Sequence, residues 1–249
     1  VHPAWPISIA IALVALGWAV RWLLDNPRED AETGLLYRVG RGYCRLVHRL
    51  RAEGGEHVPP GRRPGPLIVV ANHTAGVDPL LVQASCPFEI RWVMAEDMRL
   101  PAFDAFWRWA GIIFVDRRAN SAPALREAMR HLEDGGVIGI FPEGGIERPP
   151  RTILPFMRGI GLLIARTGAP VLPVIIDGTP QVDPAWSSLW KPSRSRVRFL
   201  APERFGGRSA AETAAALRQR FIDATGWPAN DTPSDVMPGK GEPARAKTA

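Results

Sequence analysis

The sequence predicts an α/β fold, a central mixed sheet flanked by helices, preceded by an N-terminal hydrophobic membrane-anchor helix and a basic amphipathic helix. Three observations support this. Between about residues 58 and 225, short β-rich runs alternate with helical patterns, as in layered α/β domains. Ahead of them an uncharged stretch, Ala4 to Val20, is followed by an arginine-rich segment with helical spacing. The 249 residues, 46% hydrophobic and 22% charged, suit one globular domain plus appendages. The expected divisions are 1–25 as anchor, 26–57 as amphipathic segment, 58–225 as the domain and 226–249 as a disordered tail.

The first element is AWPISIAIALVALGWAV, extended past Arg21 by Trp22, Leu23 and Leu24. About 20 such residues form a helix able to cross a ~30 Å hydrocarbon layer. Trp5 near one end and Trp18 and Trp22 near the other suit the two interfaces. No basic leader of the kind a cleaved signal needs precedes the segment. A buried helix or a re-entrant arm is the competing reading. Arg21, Arg28, Arg38, Arg41 and Arg45 follow it, so the positive-inside tendency puts the rest of the chain on the cytoplasmic face.

In the second element, residues 33–51, Leu35, Leu36, Val39, Tyr43, Leu46, Val47 and Leu50 share helical spacing, with arginines on other faces. Such a helix fits the lipid interface, and equally fits one side of the following domain. The net charge of +6 favours an acidic partner. Nucleic acid is not expected, because the basic residues gather beside an apolar segment and form no recognition module. Cys44 and Cys86 have no Cys-x-x-Cys spacing and read as small core residues. No ligand cluster suggests a metal.

The strands follow in order as PLIVVA, EIRWVMA, GIIFVD, VIGIF, VLPVIID and SRVRFL. Several are apolar on both faces, as buried strands are. Pro173 inside the fifth points to an edge or irregular position. Ala124, Leu125, Ala128, Met129 and Leu132 form a helical stripe, ended by Gly135 and Gly136, and Leu217, Phe221 and Ile222 belong to another. The last residues, rich in Pro, Gly and polar side chains, show no apolar period.

Polar groups collect where these strands end. After PLIVVA comes NHTAGVDP, with His73 and Asp78 five residues apart, on different faces of a continuous helix. A turn through Gly76 is therefore required to join them. Asp78 before Pro79 reads as a helix N-cap, which would fix the carboxylate and let it orient the imidazole as a general base. The plainer alternative is a capping aspartate beside a polar turn histidine. GIIFVDRR ends in two arginines suited to phosphate, and FPEGG ends in a carboxylate and two glycines that allow close approach to the backbone.

In this order, the blocks over residues 66–180 resemble the glycerolipid acyltransferase family, typified by 1-acylglycerol-3-phosphate acyltransferases. NHTAGVDP is similar to its N-H-x-S-x-x-D-P block, GIIFVDR to G-x-x-F-x-x-R, FPEGG to the start of F-P-E-G-T-R-S, and VLPVII to its proline-containing fourth block. The resemblance implies transfer of a fatty acyl group from acyl-CoA or acyl carrier protein, as co-substrate and without another cofactor, to the hydroxyl of a lysolipid at a membrane surface. It implies His73 as base, Asp78 as its orienting partner, Arg117 for an acceptor phosphate, and Glu143 and Gly144 shaping the pocket. Arg158, in FMRG, stands where the family often has a basic pair.

Two departures bear on the acceptor. Ala75 replaces the usual serine, and Gly145, Ile146 and Glu147 stand where T-R-S is usual, so an apolar side chain replaces a phosphate-binding arginine. Arg148, two residues on, compensates only if its loop folds back toward the pocket. Lysophosphatidate and uncharged lysolipids both remain open as acceptors, as does a membrane lipid-binding protein without turnover.

Overall fold

The computed structural model describes residues 5–116 and 121–231. Helix α1 (Trp5–Leu24) and helix α2 (Ala31–Leu46) precede strands β1 (Arg51–Glu53) and β2 (Leu67–Ala71). Helix α3 (Asp78–Ser85), strand β3 (Arg91–Ala95), helix α4 (Asp104–Trp109) and strand β4 (Ile113–Val115) follow. The chain continues through α5 (Ala122–Glu133), β5 (Val137–Ile140), α6 (Arg158–Thr167), β6 (Val171–Asp177), β7 (Arg196–Phe199) and α7 (Ala210–Thr225).

The seven strands form one mixed sheet in the order β1-β7-β6-β2-β5-β3-β4. Only the β6–β7 pairing is antiparallel, so β6, β2, β5, β3 and β4 run together while β7 and β1 run the other way. Strand β2 shows why both faces are covered. Leu67, Val69 and Ala71 pack on the α2–α3 side, and Ile68 and Val70 on the α5–α6–α7 side. Fully buried side chains such as Phe88, Leu81 and Phe221 anchor these two layers, each contributing about 1.5–3 kcal/mol. Cys44 and Cys86 are buried free thiols, pushed up to about 11 and about 12 by burial.

Helix α1 buries no residue, whereas α2 packs on α3. The two cross where a Cβ on Gly34 would lie 1.8 Å from the Leu23 carbonyl oxygen. Between them, Asp30 caps α2 by accepting from the Thr33 N–H at 2.7 Å.

Three expectations need correction. Pro173 is in an interior strand, so the edge reading falls, while the irregular one stands because the register with the β7 side shifts by one residue between Val174–Phe199 and Val171–Glu203. The Pro173 carbonyl accepts from the Leu200 N–H at 2.9 Å, so the proline's missing donor faces the β7 side, just past the last residue of β7, and no central ladder bond is lost. The sheet starts ahead of residue 58, because β7 has an open edge that Arg51–Glu53 fills, with the Arg51 N–H donating to the Ser195 carbonyl. The start of the expected tail is also folded. The Asn230 N–H donates to the Ile153 carbonyl, and Arg218 pairs with Asp231 at 2.7 Å. Residues 232–249 lie outside those described.

Candidate active site

The site begins where β2 stops. Its register with β6 ends at Ala71 and Val174, and Asn72 then continues the pairing with its side chain. The Asn72 amide accepts from the Ile176 N–H at 2.8 Å and donates to the Ile176 carbonyl at 3.0 Å, as a peptide group would. The next residue, His73, is therefore held by the sheet itself.

The turn that follows closes on Asp78, whose side chain is fully buried. One carboxylate oxygen accepts from His73 Nδ1 at 2.9 Å, from the Thr74 N–H at 2.6 Å and from the Ala75 N–H at 2.8 Å. The other accepts from Thr74 Oγ1 at 3.0 Å, and that hydroxyl also meets Thr179 Oγ1 at 2.6 Å. Asp78 is thus not the N-cap expected of it. It occupies the first turn of α3 and reaches back to the turn before it, with Val77 as cap and Pro79 in the first turn. Gly76 is required by packing, since a Cβ there would lie 2.6 Å from the Ala185 carbonyl oxygen.

With the Asp78 carboxylate at Nδ1, the neutral imidazole carries its proton there and leaves Nε2 as the acceptor. Nε2 has no hydrogen-bond partner among the described residues, and a fifth of the side chain is exposed. Phe141, the residue after β5, stacks on the ring at 4.2 Å between centroids, and Trp92 of β3 stacks on Phe141 at 5.0 Å. The imidazole is therefore fixed along one edge by a charge and across one face by an aromatic pair.

Two further carboxyls lie below the turn. Glu143 accepts from the His73 N–H at 3.3 Å, while the Glu147 N–H donates to the His73 carbonyl at 2.8 Å. Burial raises the Glu143 carboxyl well above its usual value, and the neighbouring Glu147 charge adds to this. Burial likewise raises Glu147 to about 7, aided by Asp78, although the Arg151 N–H donates to its Oε1 at 2.8 Å. The Oε2 atoms of both are buried without partners among the described residues. Gly144 adopts a φ of 68°, the left-handed region that glycine tolerates, so its role is to turn the chain after Glu143.

The remaining candidates are dispersed. Arg117 lies outside the described residues. Arg148 is committed to Gln181 at 2.7 Å and Asp183 at 3.3 Å, and Arg151 to Asp177 at 3.0 Å, so neither loop arginine bonds the His73 turn. Ile146 is half-buried, and Arg158 is exposed in the first turn of α6 without a hydrogen bond or ion pair among the described residues. Among the described residues no group of three His, Cys, Asp or Glu side chains is placed to hold a metal ion. Sequence reasoning did not find Asn72, Phe141 or Glu147 as parts of the site, although the first two flank the ends of β2 and β5.

A histidine–aspartate pair at the carboxyl ends of parallel strands, in a sheet covered on both faces, defines an α/β protein whose candidate site has the geometry a general base requires. Comparison with known proteins makes this specific. The acyltransferase family matches residues 49–177, and the chain belongs to that family. It is 33% identical over 132 residues to a 1-acyl-sn-glycerol-3-phosphate acyltransferase of Borreliella burgdorferi, covering 51% of this chain and 50% of that protein. It thus spans about half the length of that relative. A 1-acyl-sn-glycerol-3-phosphate acyltransferase of Limnanthes douglasii is 25% identical over 78% of this chain and 69% of its own length. An N-acylphosphatidylethanolamine synthase of Arabidopsis thaliana is 32% identical over 46% of this chain and 44% of its own. Among solved structures, the 1-acyl-sn-glycerophosphate (LPA) acyltransferase PlsC of Thermotoga maritima superposes with a TM-score of 0.62 and 27% identity, covering 87% of this chain and 89% of that one.

Proposed function

We propose that this chain is a membrane-attached acyltransferase that moves a fatty acyl group from acyl-CoA or acyl carrier protein to the hydroxyl of lysophosphatidate or a related lysophospholipid. The observation that carries this reading is the His73–Asp78 pair with Nε2 free. Nε2 takes the proton of the acceptor hydroxyl as its oxygen attacks the thioester carbonyl. The tetrahedral intermediate collapses with cleavage of the C–S bond, and the imidazolium returns the proton to the thiolate. Asp78 stabilises the imidazolium through its contact at 2.9 Å. A placed base supplies about 10²- to 10⁴-fold in rate. Helix α1, long and apolar enough to cross a membrane, supports attachment at the surface where such lipids reside.

A second reading concerns the acceptor. Ile146 at the usual arginine position, and the engagement of Arg148 by Gln181 and Asp183, favour an acceptor without a free phosphomonoester. Kinship to the N-acylphosphatidylethanolamine synthase is consistent with that breadth.

The test supplies labelled acyl-CoA and acyl carrier protein with a panel of lysolipids to the membrane-bound protein, its His73→Ala variant and its Ile146→Arg variant. Acyl transfer lost in His73→Ala is expected, and normal turnover by that variant refutes the mechanism. Ile146→Arg is expected to raise the ratio of kcat/KM for lysophosphatidate over a neutral or diester lysolipid by about ten- to a hundredfold, the worth of one charge-assisted contact. An unchanged ratio refutes the acceptor reading alone.

A further inference from the structure

At the opposite end of the sheet from His73, where β2, β3 and β5 begin, lies a cavity of about 410 Å³. Its walls carry Arg28, Arg62, Arg63, Arg91 and Arg108 against one lining carboxylate, Glu89. A second cavity of about 240 Å³ shares Pro27 and Arg62 with it and adds Arg38 and Arg41. The two form one basic groove around the 61–64 loop.

The internal partners do not neutralise this groove. Arg28 is held by Glu89 and lies 4.7 Å over the ring of Trp109. Arg62 is held by Asp25, which lines the second cavity, and by Glu29; Arg38 lies 3.8 Å from the same Asp25, and Arg91 is held by Glu127. The Arg63 and Arg108 guanidinium groups form no hydrogen bond or ion pair among the described residues, yet both residues line the cavity. Arg41 is the most telling. It donates to the Cys86 carbonyl at 2.8 Å and, among the described residues, has no carboxylate partner and buries its Nε without a hydrogen-bond partner. Burial, with the nearby Arg38 and Arg45, holds its guanidinium below the usual arginine value. A half-buried guanidinium with a spare donor in one cavity, and two unpaired guanidinium groups in the cavity that shares Pro27 and Arg62 with it, are groups that a phosphate ester would engage.

Position identifies the source of that phosphate. Pro27 and Arg28 come three and four residues after the last residue of α1, the apolar 20-residue helix that buries nothing in the body. With α1 in a bilayer, the groove opens at headgroup level, where anionic lipids concentrate. We infer that this groove is a binding site for the phosphate ester of an anionic membrane lipid, separate from the acceptor site.

The test uses the full chain in neutral detergent. Its thermal stability is followed as short-chain phosphatidylglycerol, phosphatidylcholine of equal chain length, glycerol 3-phosphate or inorganic phosphate is added, since a ligand of the folded state raises Tm with its concentration. Phosphatidylglycerol is expected to raise Tm well beyond phosphatidylcholine, and added salt to reduce the effect. Arg63→Ala and Arg108→Ala, both at exposed positions, are each expected to weaken the apparent affinity about tenfold. The response should persist in His73→Ala, so it does not depend on turnover, and its weakening in the two arginine variants at the far end of the sheet is what separates this site from the candidate active site. Equal shifts from glycerol 3-phosphate or inorganic phosphate would overturn the lipid source. No preference for phosphatidylglycerol, or the same response in both arginine variants, would overturn the site.

Discussion

The substitution Asp78→Asn separates the charge of the aspartate from its geometry. The amide of the variant can place its carbonyl oxygen where one carboxylate oxygen now accepts from His73 Nδ1 and the Thr74 and Ala75 N–H groups. Its NH₂ group would then face Thr74 Oγ1, which is free to donate instead to Thr179 Oγ1. The backbone donors of the turn stay matched, while the second amide hydrogen and the Thr179 hydroxyl hydrogen are left without a named acceptor. What disappears is a negative charge beside an imidazole that becomes positive only during the reaction. With contact atoms 2.9 Å apart and charge centres near 4 Å, the lost attraction is about 4 kcal/mol at an effective dielectric of about 20, or roughly 10³-fold in rate. Because the substrate-bound ground state lacks the imidazolium, kcat should fall by that factor with KM nearly unchanged. Stability should move by less than about 2 kcal/mol, as weaker hydrogen bonds are offset by relief of a buried charge. Asp78→Ala differs, since it strands two backbone donors at about 1–3 kcal/mol each. Steady-state kinetics and urea unfolding of both variants check this. A folded Asp78→Asn enzyme with kcat within a factor of a few of the parent would refute the electrostatic role.

Three other outcomes follow from the same geometry. Glu147 has its folded pKa raised from 4.5 to about 7, so the folded state binds the extra proton, and stability is lost as pH rises from about 4.5 through 7. Glu147→Gln should therefore gain on the parent by up to roughly 3 kcal/mol at pH 8 and much less at pH 5, measured by urea unfolding at both values, and an equal gap at both would contradict the assignment. Gly76→Ala should destabilise by about 1–3 kcal/mol and reduce turnover, because its Cβ would meet the Ala185 carbonyl at 2.6 Å; unchanged Tm and kcat would show that the loop yields freely. The full chain should resist extraction from membranes by salt and alkaline carbonate, whereas a chain lacking residues 1–25 should be released by salt. Release of the full chain by salt alone would mean that α1 is not inserted.

The parts of the fold legible in sequence were those with a local period. The run LIVVA is apolar at every position, and the stripe from Ala124 to Leu132 recurs every three or four residues, so their elements follow from side-chain spacing. Strand β1, Arg-Ala-Glu, is exposed at all three residues and has no such pattern. It is a strand because β7 offers an unpaired edge, which is a property of the assembled sheet. Whether Pro173 marked an edge or an irregularity was not legible for the same reason, since its tolerance depends on where β7 stops. In the site, the pairing of His73 with Asp78 was legible because the turn is local. The burial of Glu147 was not, because it depends on how residues 143–151 fold beneath that turn. The basic groove joins positions 28, 41, 63 and 108, which no short window contains.

Because the Asn72 side chain extends the β2–β6 ladder, His73, the proposed base, stands one residue from a bond of the kind that holds the sheet together. Moving His73 relative to β6 would require breaking that ladder, so the base has little freedom to adjust to its substrate. Segments held by exposed side-chain contacts have more freedom, such as the stretch around Arg148 that is tied to Gln181 and Asp183. On the proposed function, such a scaffold could change the headgroup it accepts by rewriting those contacts while the His73 turn stays still. Diversification of substrate and preservation of chemistry are thus assigned to different parts of the chain.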